Sequence, residues 1–366
     1  MKFEGLLKER VRKELKHFYT DNFDAFRFGR KTWTKRYREA KSLLLSGLAR
    51  TGIYPVNPAQ LAERRMGGYM DRLEQMYLSL SGKRSKDLMV DLIAFRMLGY
   101  PHVKLPVNTP VYWQKLDKYE RQAEKTGWTG ESFMNVKLHK FDLRELGYDA
   151  SLYYTPQAVL IYLDMEQYAY TEDGLDISVK KGDCVIDAGG CLGDTAVYFA
   201  SKTGPGGKVF SFEFIPDTLT GFQKNLELNA HLKDRIQLVE SPLWDKADLE
   251  VYFNDKGSGS RVELKPFDGY THTTKTITID ELVRKGTVPR VDFIKMDIEG
   301  AELMALKGAE NAIRSFKPRM AISIYHSMND FVDIPNWIAG LGIGYKIYLG
   351  HYTIHAEETI LYAIAD

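Results

Sequence analysis

Residues Phe3, Leu6, Leu7, Val11, Leu15 and Phe18 recur at helical spacing among charged positions, which predicts an amphipathic helix at the start of the chain. Similar patterns predict helices over about 31–50, 58–80, 86–98 and 110–125. Gly99-Tyr100-Pro101 ends the fourth, because proline cannot continue a helix and restricts the residue before it. From about residue 180 the texture changes to short β-branched runs alternating with helical stretches. Strands are expected at 184–186, 209–214, 236–240, 291–296 and 320–325, with helices at 194–200, 218–229, 301–315 and 334–339. Extended pieces at 249–253 and 276–279 flank a Gly257-Ser258-Gly259-Ser260 loop, and 345–349 and 359–364 form a terminal strand pair. Such alternation predicts an α/β fold: a parallel sheet with helices on both faces. The expected division is a helical region over 1–150, serving substrate access, capping or oligomerisation, and a second domain over 151–366.

Charge changes this picture little. The chain has 366 residues, with 50 basic against 49 acidic side chains, so it lacks the basic surplus that a general nucleic-acid binder needs. Residues 1–50 hold 14 basic and 6 acidic side chains, a local excess that a solvated helical face explains more readily than an acidic partner or membrane surface. The longest apolar runs are too short to span a bilayer, and the N-terminus has no apolar signal core. Two cysteines give no disulfide framework and fit a reducing, cytoplasmic setting.

The first candidate chemistry is the turn Asp187-Ala188-Gly189-Gly190-Cys191-Leu192-Gly193, which follows the first strand and opens a helix. Backbone N–H groups and a helix N-terminus there face a ligand, and Gly189, Gly190 and Gly193 would let it approach without a Cβ in the way. Glu213 ends the next strand, where an acid in a doubly wound sheet accepts hydrogen bonds from a ribose diol. Together they point to a nucleoside-bearing ligand, although the dinucleotide pattern G-x-G-x-x-G is absent.

The second is the run Asp292 to Glu302. Strand alternation puts Phe293, Lys295 and Asp297 on one side, and a lysine inside an apolar strand needs a partner, for which Asp297 and Glu213 are the candidates. Asp297 and Glu299 stand at the strand end, and Glu302 fits helix capping. His326 ends the following strand, where it could take a proton from a substrate hydroxyl; His351 and His355 are weaker candidates. Asp297, Glu299 and His326 also suit a metal by ligand type, but their spacing is not diagnostic, and no metal is assigned.

These stretches resemble the FkbM-type family of S-adenosylmethionine-dependent methyltransferases. The resemblance rests on Val185 to Thr195, Phe212-Glu213, Pro216, Thr278 to Leu282, Asp292 to Glu302 with Leu306 to Ala309, His326, and the ending Tyr345 to Tyr352 and Glu358 to Ala363. It implies a class I methyltransferase (Rossmann-like) fold, mostly parallel with an antiparallel last strand, and S-adenosyl-L-methionine as donor. The implied reaction is O-methylation of a hydroxyl on a sugar, glycan or natural product. By the same resemblance Asp187 and the glycine turn hold the methionine end and Glu213 the ribose hydroxyls. Ser241 and its neighbours to Trp244 border the adenine, and Asp297 and Glu299 flank the methyl. Phe214-Ile215-Pro216 departs from the commoner pattern, in which Pro follows Glu directly.

His326 is the expected base, with Glu299 or Asp297 as orienter or alternative base, and Tyr168 is expected to close over the donor. Tyr112, Trp113, Trp128, Tyr153 and Tyr154, with the 256–260 loop, are candidates to shape acceptor access. The expected partner is a small-molecule or glycan acceptor with a free hydroxyl, with a homodimer as the assembly. Two other readings stay open: an NAD-type oxidoreductase, and a non-catalytic donor-binding module whose helical region recruits a partner.

Overall fold

The computed structural model describes residues 2–53, 57–130, 132–133, 136–172, 174–257 and 260–365. Seven strands form the central sheet: β1 Cys184–Ala188, β2 Lys208–Phe212, β3 Ile236–Val239, β4 Phe293–Met296, β5 Arg319–Ser323, β6 Tyr345–His351 and β7 Thr359–Ala365. Their spatial order is β3-β2-β1-β4-β5-β7-β6. Neighbours from β3 to β5 are parallel, and β7 runs antiparallel between β5 and β6. The expected mostly parallel sheet with an antiparallel last strand is thus present. Strand order reverses between β1 and β4, which opens a crevice at their carboxyl ends.

β1, β4 and most of β5 are buried on both faces, as continuous apolar runs in a parallel sheet require. Strand alternation divides the core in two. Ile186, Ile294, Met296 and Ile322 pack with Phe3, Leu7, Val11, Leu73, Met76 and Ile93 from the N-terminal helices Phe3–Glu14, Met70–Ser79 and Lys83–Leu98. Val185, Phe293 and Ala321 face the other way, toward residues 112–179 and the helix Asp194–Thr203. The N-terminal helices are therefore continuous with one face of the sheet. The strand His139–Asp142 pairs antiparallel with Ser151–Tyr154, so a boundary at residue 150 would pass through a hairpin.

Some elements differ from expectation for local reasons. The single helix expected over 301–315 is two, Glu302–Lys307 and Glu310–Phe316. Gly308, between them, passes so close to the Trp244 carbonyl that a Cβ would stand 2.0 Å from its oxygen. In place of a strand at 276–279, the chain pairs at His272–Lys275, and the Thr278 hydroxyl then caps the helix Ile279–Arg284 by accepting the Glu281 N–H at 3.0 Å. Short strands at Ser132–Phe133 and Val136–Lys137 interrupt a region that the periodicity left mostly helical. Ser258 and Gly259 of the Gly/Ser loop lie outside the described residues. Among the described residues no helix is long and apolar enough to cross a membrane.

Because Leu7 is fully buried in the core that includes Ile294, Leu7→Ala should cost about 2–5 kcal/mol. Denaturant unfolding followed by two probes should keep one transition. A separate early transition for the N-terminal helices would contradict a shared core.

Candidate active site

Side chains on one face of neighbouring strands form a polar row at the crevice. Ser211 of β2, Asp187 of β1 and Lys295 of β4 lie in register across the sheet. Asp187 has no exposed surface; its Oδ2 accepts the Ser211 hydroxyl at 2.7 Å, and its Oδ1 accepts Thr195 at 2.9 Å and stands 3.2 Å from Lys295 Nζ. Lys295 also donates to the carbonyls of Ala188 (3.1 Å) and Gly189 (2.5 Å), and its ammonium lies 5.3 Å from the Tyr168 ring centroid. Burial disfavours its charge, yet Asp187, Asp297 and Asp194 hold its pKa above the ordinary lysine value. Its direct partner is thus Asp187, which the sequence reading does not name; of the two expected partners, Asp297 acts on it only through charge and Glu213 is turned elsewhere. Asp187 anchors the turn and Lys295 and has no exposed surface.

The glycines serve the same tight assembly. Gly189 has φ +83°, and a Cβ there would lie 1.9 Å from the Asp297 carbonyl oxygen. A Cβ on Gly190 would meet Ser211 Oγ at 2.3 Å, and one on Gly193 would crowd Phe222. Neighbouring protein atoms by themselves already require these small residues. Glu213 folds over the turn that follows β2: Oε1 accepts the N–H groups of Phe214 (2.7 Å) and Ile215 (2.9 Å), and Oε2 accepts that of Cys191 (3.0 Å). The two residues before Pro216 supply those donors. Burial still raises the Glu213 pKa. Ser241 follows β3 at the same edge, half-buried.

At the tips of β4 and β5 the carboxylates meet the histidine. His326 Nε2 lies 3.0 Å from Asp297 Oδ1 and 3.2 Å from Glu302 Oε1, and its Nδ1 is 3.4 Å from Glu299 Oε2. Tyr168 donates to Asp297 Oδ2 at 3.0 Å, and Tyr325 donates to Oδ1 at 3.2 Å. Burial opposes a charge on His326, but Asp297 and Glu302 overcome it and push its pKa up to about 11. Burial likewise opposes the charge on Asp297, while His326 and Lys295 hold it below the usual carboxylate range. Those two acids favour the protonated ring in this arrangement, so His326 must give up its proton before it can serve as the expected base. Glu299 is pushed up to about 7, by desolvation first and then by Asp297, while its side chain keeps 56% exposure. It sits at φ +57°, a conformation that a non-glycine residue holds at a cost.

Four further residues enter the site unforeseen. Glu302, expected as a cap, does accept the Ile298 N–H at 2.7 Å, but it is wholly buried and also reaches His326. Asp194 opens the helix after the glycine turn with a buried Oδ1 that has no hydrogen-bond partner, and burial raises its pKa to about 7. Glu358 is raised to about 8, by burial and then by Asp297; Tyr325 contacts both acids. Glu302 had a positional signal, its place in the first helical turn after β4; Asp194 and Glu358 lay in stretches of the family resemblance without an assigned role. His351 and His355 stay outside this group. His351 bonds Thr359 within the β6–β7 hairpin and burial lowers its pKa to about 3. His355 faces Asp24 and Glu357. Tyr112 and Tyr154 are core residues, Tyr153 is half-buried, and Trp113 and Trp128 are exposed. A hollow of about 540 Å³ lies elsewhere, lined by Thr278, Asp280, Arg284, Asn311 and Phe316. Tyr168, 2% exposed, covers the tips of β1 and β4.

The Methyltransferase FkbM domain model matches residues 187–347. The hexuronic acid methyltransferase AglP of Haloferax volcanii is 31% identical over 139 residues, 37% of this chain and 54% of its own. The chain thus spans about half the length of that relative. Methyltransferase 1 of Beauveria bassiana is 24% identical over 223 residues, 54% of this chain and 88% of its own. A solved structure of a methyltransferase FkbM from Methylobacillus flagellatus KT aligns with a TM-score of 0.52 at 19% identity, covering 91% of this chain and 71% of that one. That likeness establishes a shared fold.

Lys295→Met would leave the Asp187 carboxylate buried without its cation, and should cost about 3–5 kcal/mol. Chemical denaturation checks this; a loss below about 1 kcal/mol would mean that the ammonium does not pin the turn.

Proposed function

We propose, from the premise that residues 187–347 form an FkbM-type methyltransferase domain, that this protein methylates a hydroxyl oxygen of a sugar, glycan or natural product with S-adenosylmethionine as donor. One observation carries the reading: the crevice edge joins an unpartnered buried carboxylate oxygen of Asp194, the Glu213 carboxylate and the Asp297–His326 cluster. These fit the donor's three recognisable parts. Asp194 Oδ1 suits the methionine ammonium, which it would take in place of Asp187. Glu213 suits the ribose diol, its oxygens exchanging the Cys191 N–H for hydroxyls. Ser241, beyond β3, borders the adenine. The relative named for hexuronic acid supports a sugar acceptor.

When bound, S-adenosylmethionine would supply an electrophilic sulfonium methyl: a C–O bond to the acceptor would form as the C–S bond breaks, with S-adenosylhomocysteine as the leaving group. The protein orients the reactants, excludes water and receives the acceptor proton. Asp297, fixed by the Tyr168 and Tyr325 hydroxyls, sets the floor of the reaction space. Tyr168 moves to admit the donor and then closes over it. Glu299 takes the acceptor proton on its carboxylate, poised near neutrality as a general base should be. His326 stands between Asp297 and Glu302 and fixes their positions. A hydride-transfer reading has no matching feature, because the glycine turn lacks the dinucleotide spacing.

Two outcomes test this. Glu213→Ala should weaken S-adenosylmethionine binding about 10- to 100-fold by calorimetry, the worth of hydrogen bonds to a charged group; unchanged affinity would remove the ribose assignment. With a hydroxyl acceptor, kcat/KM should rise with pH through about 7 as Glu299 loses its proton. Glu299→Gln should abolish that limb and lower kcat about 100-fold or more. A variant that keeps the limb would assign the base to another group.

A further inference from the structure

Protein donors do not satisfy every carboxylate oxygen around His326. Its Nε2 faces two carboxylate oxygens, Asp297 Oδ1 at 3.0 Å and Glu302 Oε1 at 3.2 Å, and a single N–H cannot point along both lines. Glu302 is wholly buried, and its Oε2 has no hydrogen-bond partner. A buried carboxylate oxygen without a partner is costly unless a cation satisfies it. On the far side of the ring, Nδ1 lies 3.4 Å from Glu299 Oε2, so an N–H there would be directed at a carboxylate and leave the Nε2 lone pair facing the two acids.

We propose that Asp297, Glu302 and His326 bind a divalent cation of the Mn2+ or Mg2+ class. One donor atom from each lies within 4.8 Å of the others. Metal–ligand bonds of about 2.1 Å at right angles place neighbouring donors about 3.0 Å apart, close to the two measured separations. Two carboxylates with one imidazole suit Mn2+ better than an all-oxygen preference or a thiolate-seeking ion. Each ligand is held from behind. Tyr168 and Tyr325 donate to Asp297, the Ile298 N–H donates to Glu302, and Glu299 orients the imidazole. A sequence reading selects Glu299 for such a set; the fold substitutes Glu302, because one helical turn brings its carboxylate back over the β4 tip.

Three protein ligands leave open coordination positions, which oxygen atoms of the acceptor would fill. That last step rests on the hydroxyl-acceptor reading; ion binding itself does not. A hydroxyl on a divalent cation loses its proton more readily, and Glu299 at the rim would receive it.

The test is Mn2+ binding to the chelator-treated full chain, read by electron paramagnetic resonance and calorimetry, with Mg2+ as competitor. One Mn2+ per chain is expected, displaced by Mg2+ and weakened at least tenfold in Glu302→Gln. Should Glu302→Gln lower the melting temperature of the metal-free protein, His326→Gln provides the same comparison, with the same loss expected. No Mn2+ binding at millimolar concentration, or binding equally tight in both variants, overturns the proposal. S-adenosylhomocysteine binding, measured on the same metal-free protein, separates the two readings. Nucleoside binding without Mn2+ uptake rejects the ion alone, and Mn2+ uptake without nucleoside binding rejects the donor alone.

Discussion

A buried ammonium organises this molecule. Lys295 has only 1% of its surface exposed in a strand otherwise made of Phe, Ile and Met, so its charge must be answered inside the protein. Asp187 answers it across the β1–β4 pair, and the Ala188 and Gly189 carbonyls use the remaining donors. The ammonium thereby ties the glycine turn to β4 at the point where strand order reverses. Tyr168 packs over the same charge and passes the constraint on to Asp297 through its hydroxyl. One continuous set of contacts so links the floor of the crevice to the carboxylate–histidine cluster at its rim.

That rim holds three of the non-glycine residues whose backbone adopts positive φ. Cys191, Glu299 and Glu358 all have positive φ, at +43°, +57° and +61°, and all three border the crevice. Each such residue costs roughly 1–3 kcal/mol, and survives only where its surroundings over-determine it. Here the Lys295 network, the close Gly189–Asp297 approach and two dense cores supply that determination. The strain has a visible result. It turns Glu299 outward, so that its carboxylate is open while Asp297 and Glu302, on either side in sequence, stay covered.

Much of this was legible in the sequence. Short β-branched runs located the seven strands, and the Asp187–Gly193 turn and the Asp292–Glu302 run located the crevice. What pattern alone could not supply was direction. Lys295 was evidently in need of a partner, but Asp187 is a partner only once β1 and β4 lie side by side. The glycines were recognisable as a close approach; that the approaching atom belongs to Asp297 requires the tertiary fold. Glu302 has the spacing of an ordinary helix-start acid, and only packing reveals that it is buried against His326. Asp194 and Glu358 lie in stretches that carry the family resemblance, but their raised pKa values come first from burial, which only the tertiary fold sets. The helix break at Gly308 is likewise set by a carbonyl more than sixty residues away.

The N-terminal helices illustrate the same limit at larger scale. Their amphipathic pattern was plain, but not the surface they cover. Phe3, Leu7, Met76 and Ile93 pack with the sheet residues Ile294 and Met296 in one core, so these helices help hold the strand whose tip carries Asp297. Residues 112–179 do the equivalent on the opposite face and contribute Tyr168.

The most direct measurement is a crystal structure with S-adenosylhomocysteine. Its ribose hydroxyls should lie on Glu213, its amino group near Asp194, and its sulfur should face Asp297, with Tyr168 displaced from its present position. A nucleoside bound away from the β1, β2 and β4 tips, with Glu213 still accepting the Cys191 N–H and Tyr168 unmoved, would contradict the assignment of this crevice as the donor site.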